Sequence, residues 1–233
     1  MTLILLLLKS KVWFSILSML FTIWVYGTIY GLPFAFGFVM MILVHEMGHY
    51  LAAKQRGLDV GLPAFIPFVG AWINLRQHPH NSETEAYVAY AGPFLGTLAA
   101  FAVYFYGRHI NSDLWMAVAY SGFIINLFNL IPVSPLDGGR ITQVLSPRIW
   151  LLGAPMLVAL FIYNPSPMVL LIGVLALPNL WAAWNYDPNS PEALRYGAVS
   201  NRVKLEYSVL YLGLVAILTM MTYHVHQGLD HAQ

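Results

Sequence analysis

The sequence predicts an all-α polytopic membrane protein of about six to seven transmembrane helices, with a re-entrant hairpin after the second. Three observations carry that expectation. The chain of 233 residues is 59% hydrophobic and only 9% charged, with a mean hydropathy of +0.66. A soluble domain carries about 25% charged residues. The apolar residues fall in long runs, and the basic residues fall between those runs on one side of the implied membrane.

The elements follow in order. The opening "MTLILLLLKSK" puts its apolar run ahead of its lysines, the reverse of a signal peptide. Residues 1–8 are too short to span and read as an interfacial segment. Apolar runs near Val12–Tyr30, Leu32–Leu51, Ala86–Tyr106 and Leu114–Ile131 read as spans, as does Leu205–Tyr223. Between the last two lie Ile149–Tyr163 and Met168–Trp184, hinged by "NPSP" and each marginal in length.

The distribution of Lys and Arg decides how to count that pair. With seven crossings and a cytoplasmic N-terminus, Lys9, Lys11, Lys54, Arg56, Arg76, Arg140, Arg148, Arg195, Arg202 and Lys204 share the cytoplasmic side. Only Arg108 falls outside. Counting the pair as one crossing moves the Arg195–Lys204 cluster outward, so two crossings fit better. The polar stretch Asn185–Lys204 then reads as a cytoplasmic loop.

The segment Val60–Leu75, "VGLPAFIPFVGAWINL", is apolar but carries Pro63 and Pro67, which interrupt a helix. Its backbone must find partners within the protein or line a cavity. It reads as a hairpin of strands turning near Phe68–Gly70.

The chemistry lies in "HEMGH" within the second run. Residues four apart share a helix face, so His45 and His49 converge on one point. Glu46 lies about 100° round from His45, beside that point rather than under it. This is the H-E-x-x-H arrangement, with two metal ligands and a general base. An ionised group near a membrane centre costs about 2.5 kcal/mol or more, so Glu46 there points to function.

With no cysteine, a third ligand must come from His, Asp, Glu or backbone oxygen. His78 and His80 sit in a polar loop, His109 on the far side, and His224, His226 and His231 in the tail. Asp137, in "NLFNLIPVSPLDGGR", is better placed on the side where the second span ends. Pro132 and Pro135 stop the helix, while Gly138 and Gly139 allow a sharp turn. The alternative role for Asp137 is the N-cap of a short helix over Gly138–Leu145. The pair Gly92 and Gly96 in "GPFLG" is a small-x-x-x-small face and reads as helix packing.

At these residues the sequence resembles the site-2 protease family of intramembrane zinc metalloproteases. The resemblance rests on "HEMGH" in a span and on "NLIPVSPLDGG" in the family's N-x-x-P-x-x-x-L-D-G-G pattern. "YAGPFLG" falls where the family has a small-residue segment. It covers roughly Leu32–Leu145, the family's catalytic three-span core.

The resemblance implies that His45, His49 and Asp137 bind Zn2+, that Glu46 is the general base, and that Asn129 contacts substrate or polarises the scissile carbonyl. Asn126, one turn earlier, competes for that last role. It also implies that Val60–Leu75 lies beside the site, with a strand edge that pairs with extended substrate. The chain then reads as a compact member without a PDZ or CBS domain, divided into 1–31, a catalytic 32–145, and 146–233 with the loop 185–204.

The expected partners are a transmembrane protein or peptide substrate and the lipid bilayer, with no nucleic acid. The expected location is a prokaryotic inner membrane with the site facing the cytoplasm. The alternatives are a non-proteolytic membrane metal-binding or transport protein and an inactive protease-like adaptor.

Overall fold

The structure is a computed structural model that describes residues 11–72 and 79–230. Expectations placed on residues 1–8, Lys9, residues 73–75, Arg76, His78 and His231 lie outside the described residues. Among those described, the long helices are α1 (Lys11–Tyr30), α2 (Leu32–Gln55), α3 (Ser82–His109), α4 (Asp113–Asn129), α6 (Trp150–Tyr163), α7 (Pro167–Trp184) and α9 (Asn201–Asp230). Two short helices, α5 (Asp137–Thr142) and α8 (Pro191–Tyr196), lie in the connections.

Among the described residues, five helices are long and apolar enough to cross a membrane: α1, α2, α3, α7 and α9. The other two are shorter, α4 with 17 residues and α6 with 14. The all-helical polytopic architecture is as the sequence predicts. The last helix is longer than expected, so His224 and His226 lie on it rather than in a tail.

Local chemistry sets the helix ends. Gly31, at φ 86°, turns the chain between α1 and α2, and Pro33 fits the first turn of α2. At α3, the Asn81 side chain accepts from the Thr84 N–H at 2.8 Å. Glu83 and Glu85 occupy its first turn, while Arg108 and His109 occupy its last. Both placements favour the helix dipole.

The core is built on α3. Its face carries Ala86, Ala89, Gly92, Gly96 and Ala100, all buried. Small side chains let neighbouring backbones approach closely, which drives helix association where lipid already solvates apolar groups. A Cβ at Gly48 of α2 would lie 2.3 Å from the Ala91 carbonyl oxygen of α3. On the other side, Val118 and Phe123 of α4 and Leu218 of α9 complete the cluster.

The hairpin stands where expected. Strands β1 (Ala64–Ile66) and β2 (Gly70–Trp72) pair antiparallel, with Phe65 opposite Ala71. Phe68 at φ 64° and Gly70 at φ 110° make the turn. The hairpin lies along α1: Ser15 Oγ donates to the Pro63 carbonyl, the Phe65 N–H donates to Ser18 Oγ at 3.1 Å, and the Phe68 N–H donates to Tyr26 Oη at 2.8 Å. From Ser15 to Tyr26 a helix rises about 16 Å. The hairpin therefore reaches well along the first apolar helix, and its backbone finds partners inside the protein.

One local expectation is corrected. Gly138 and Gly139 do not make a sharp turn; they lie inside α5. Glycine is needed there because a Cβ at Gly138 would lie 2.2 Å from the Leu130 carbonyl oxygen, and one at Gly139 would lie 2.2 Å from the Ser134 nitrogen. Close packing of α5 on the preceding loop sets these positions. The N-cap of α5 is Leu136, with no side-chain cap bond. Asp137 is therefore the first helical residue, and its carboxylate is free for another task.

Candidate metal centre

His45 and His49 lie one turn apart on the buried face of α2, with Nε2 atoms 3.1 Å from each other. Asp137 enters from α5 and places Oδ2 3.1 Å from His45 Nε2 and 3.2 Å from His49 Nε2. All three residues are buried, and they form a group that could hold a metal ion.

The outer partners of the imidazoles set their tautomers. His49 Nδ1 lies 2.8 Å from the Val88 carbonyl oxygen, which can only accept. His45 Nδ1 lies 2.8 Å from Asn126 Oδ1. Asn126 Nδ2 donates to the Gly122 carbonyl at 2.7 Å, so its oxygen is the atom that faces His45. Both histidines therefore carry a proton on Nδ1, and in the neutral imidazole this leaves Nε2 as the ligand atom.

With both imidazoles neutral, two bare nitrogens and a carboxylate oxygen converge on one point. Asp137 Oδ2 is buried and accepts no hydrogen bond. Three lone pairs at about 3 Å repel one another unless a cation sits between them, and an N, N, O donor set suits zinc. The residues present fit the ion.

Two glycines of α3 make room for this arrangement. A Cβ at Gly92 would lie 2.2 Å from His49 Nε2, and one at Gly96 would lie 2.3 Å from Asn126 Oδ1. The "GPFLG" face, read from sequence as packing alone, thus seats a histidine and the asparagine behind the other histidine.

Glu46 is half-buried and stands beside the cluster, on the wall of a cavity of about 450 Å³. His45, Asn129, and Gly70 and Ala71 of β2 line the same cavity. Its far end reaches Asn164 and Ser166 in the α6–α7 hinge. The two asparagines differ in placement. Asn126 is buried and orients His45, whereas Asn129 donates to the Ile125 carbonyl at 3.0 Å and faces the cavity.

The histidines set aside in the sequence stay apart from the cluster. His80, His109, His224 and His226 are all exposed; His224 bonds Tyr104 at 3.0 Å, and His226 stacks on Tyr120. Sequence reasoning missed the Val88 carbonyl and the seating role of Gly92 and Gly96. The i, i+4 spacing of the two glycines was the available signal.

Residues 33–112, which include "HEMGH" and the glycine pair, match the profile described as "Peptidase family M50". That match covers 80 of the 233 residues and is a likeness to the family. The resemblance to site-2 proteases read from the motifs is borne out.

Curated proteins are also similar to parts of this chain. "Zinc metalloprotease MJ0392" of Methanocaldococcus jannaschii is 27% identical over 142 residues, covering 58% of this chain and 41% of its own. "Probable zinc metalloprotease EGY1, chloroplastic" of Arabidopsis thaliana is 24% identical over 160 residues, covering 48% of this chain and 29% of its own. The chain thus spans less than half the length of these curated relatives. Among solved structures, "Site-2 Protease from Methanocaldococcus jannaschii" aligns with a TM-score of 0.47 at 20% identity, covering 73% of this chain and 87% of that one.

Proposed function

We propose that this chain is an intramembrane zinc metalloprotease that hydrolyses peptide bonds in or near transmembrane segments of membrane proteins. The observation that carries the reading is the convergence of two imidazole nitrogens and a carboxylate oxygen beside a cavity-lining glutamate. His45, His49 and Asp137 are the zinc ligands. When bound, zinc supplies Lewis acidity and lowers the pKa of water toward about 7. Glu46 accepts the proton of the attacking water and returns it to the leaving amine. Asn129, across the cavity, is placed to hold the substrate backbone.

The substrate must present an extended backbone, because a helix hides its carbonyls in hydrogen bonds. The edge of β2 offers a partner. The Phe65 N–H turns to Ser18 on α1, so Phe65 and Ala71 form a pair whose backbone groups point outward from the hairpin. The N–H and C=O of Ala71 then lie on the outer edge of β2, in a stretch that lines the cavity. An extended peptide adding there would run past Glu46.

The ligands lie toward the end of the bundle shared by Gln55, Ser82 and Asn129, the end that the lysine and arginine bias assigns to the cytoplasm. We place the catalytic unit at 32–145, between an N-terminal helix in 1–31 and accessory helices in 146–233, in a prokaryotic inner membrane. Transport through the same ligands would need a second set to pass ions onward. Among the described residues, His45, His49 and Asp137 are the group of that kind.

The test is a Glu46→Gln variant in detergent or liposomes with a membrane-peptide substrate. It is expected to keep zinc at the wild-type stoichiometry and to lose cleavage by at least about 100-fold. Cleavage at the wild-type rate would remove Glu46 from the mechanism.

A further inference from the structure

Asp137 has a second carboxylate oxygen, and the residues around it form a chain that leads away from the metal centre. Oδ2 faces the two imidazoles, while Oδ1 lies 3.9 Å from Arg140 Nη1, one turn along α5. Arg140 Nε donates to Glu85 Oε1 at 3.2 Å across to the first turn of α3. The other oxygen of Glu85 accepts from the Tyr196 hydroxyl, on the last residue of α8. Both oxygens of Glu85 are therefore engaged, one by the guanidinium and one by the phenol.

None of these three side chains is a metal ligand or lines the cavity beside Glu46. Arg140 and Glu85 are mostly buried, with side chains 22% and 19% exposed. A charged pair in that position contributes little to stability after desolvation, so its orientation matters more than its energy. Burial and the neighbouring Glu85 carboxylate both push the pKa of Tyr196 up, which keeps the hydroxyl a donor.

We propose that Arg140 and Glu85 are positioning residues of the metal centre, and that Tyr196 makes their placement depend on the seating of α8 in the 185–204 loop. Arg140 draws on Oδ1 and so holds Asp137 with a single oxygen toward the imidazoles. A carboxylate released from Arg140 is free to turn both oxygens inward and occupy the position that a catalytic zinc site keeps for water. The loop then acts on the metal without touching it. The proposal rests on the metal-centre reading above, and its test reads the metal directly.

The experiment uses the full chain in detergent, with zinc affinity from chelator competition and the absorption spectrum of the Co2+-loaded protein. Glu85→Gln is expected to change zinc affinity by about 10–100-fold and to alter the Co2+ bands, the scale usual for partners behind metal ligands. Tyr196→Phe, which removes one hydroxyl, is expected to shift both in the same direction by about 3–10-fold. Because Tyr196 acts through Glu85, the double variant is expected to match Glu85→Gln within about twofold.

Unchanged affinity and spectrum in Glu85→Gln would overturn the proposal, as would independent, multiplicative effects in the double variant. If Glu85→Gln does not fold, Tyr196→Phe decides alone, and wild-type affinity and spectrum overturn the proposal. The expected metal effects in a chain that cleaves no substrate would support the positioning chain and sink the protease reading.

Discussion

Two regions of this bundle are built to opposite rules. In α2 and α3, 44% of the residues in the apolar window are buried, and glycines and alanines bring the backbones together. In α7 the share is 22%, and large apolar side chains such as Trp181, 73% exposed, point away from the protein. The pair α6–α7 packs chiefly on itself and on the loop around Val133 and Leu136, with Trp150 Nε1 donating to the Gly139 carbonyl at 2.7 Å. Above that attachment two cavities, of about 450 and 390 Å³, share Ile124, Phe128 and Leu160 where α4 faces α6. The difference teaches that close packing is spent on the metal centre, while the outer pair is held mainly at one end.

Substitutions can break that contrast. The largest effect is expected from Gly92→Ala, because its methyl would occupy the position of the His49 ring. Zinc binding is expected to weaken by more than about 100-fold, since a ligand itself is displaced. Chelator competition measures it, and wild-type affinity would show that α3 can yield.

Asn126→Ala comes next. It leaves His45 in place but removes the acceptor that fixes its tautomer. Zinc affinity is expected to fall by about 10–100-fold. A buried amide that served only packing would leave it unchanged.

A smaller effect is expected from Ala71→Pro, which deletes one N–H from the outer edge of β2 without entering the β1–β2 ladder. KM for a membrane-peptide substrate is expected to rise by about 10-fold, with zinc affinity unaltered. An unchanged KM would remove the strand edge from substrate binding.

The smallest is Leu157→Ala in α6, a buried contact within the outer pair. Zinc affinity is expected to stay within about twofold of wild type, even if the pair loosens. A loss as large as that of Asn126→Ala would show that the outer pair and the metal centre form one unit.

What the sequence made legible follows from periodicity. His45 and His49 had to share a face of α2, Glu46 had to stand aside, and two prolines in an apolar stretch had to interrupt a helix. Asp137 was legible through its place after the fourth apolar run, on the side where the second span ends, and through the resemblance that "PLDGG" carries. The choice between Asn126 and Asn129 was not, because residues three apart face nearly the same way and only the tilt of α4 against α2 separates them. Val88 was invisible for a different reason: it acts through its carbonyl, which every residue has. The contacts of Glu85 with Arg140 and Tyr196 bridge 55 and 111 positions, and no local pattern marks such pairs.

Gly138 and Gly139 show how a correct placement can carry a wrong cause. Their presence marked a tight spot, and the backbone distances show that the tightness is between α5 and its preceding loop, not within a turn.

The central claim is that His45, His49 and Asp137 hold one zinc ion. Zinc K-edge X-ray absorption on the purified chain tests it most directly. The account predicts one zinc per chain with two imidazole nitrogens and oxygen ligands at about 2.0–2.2 Å, and loss of that shell in Asp137→Ala. A purified wild-type chain without stoichiometric zinc, or a first shell without imidazole, would contradict it.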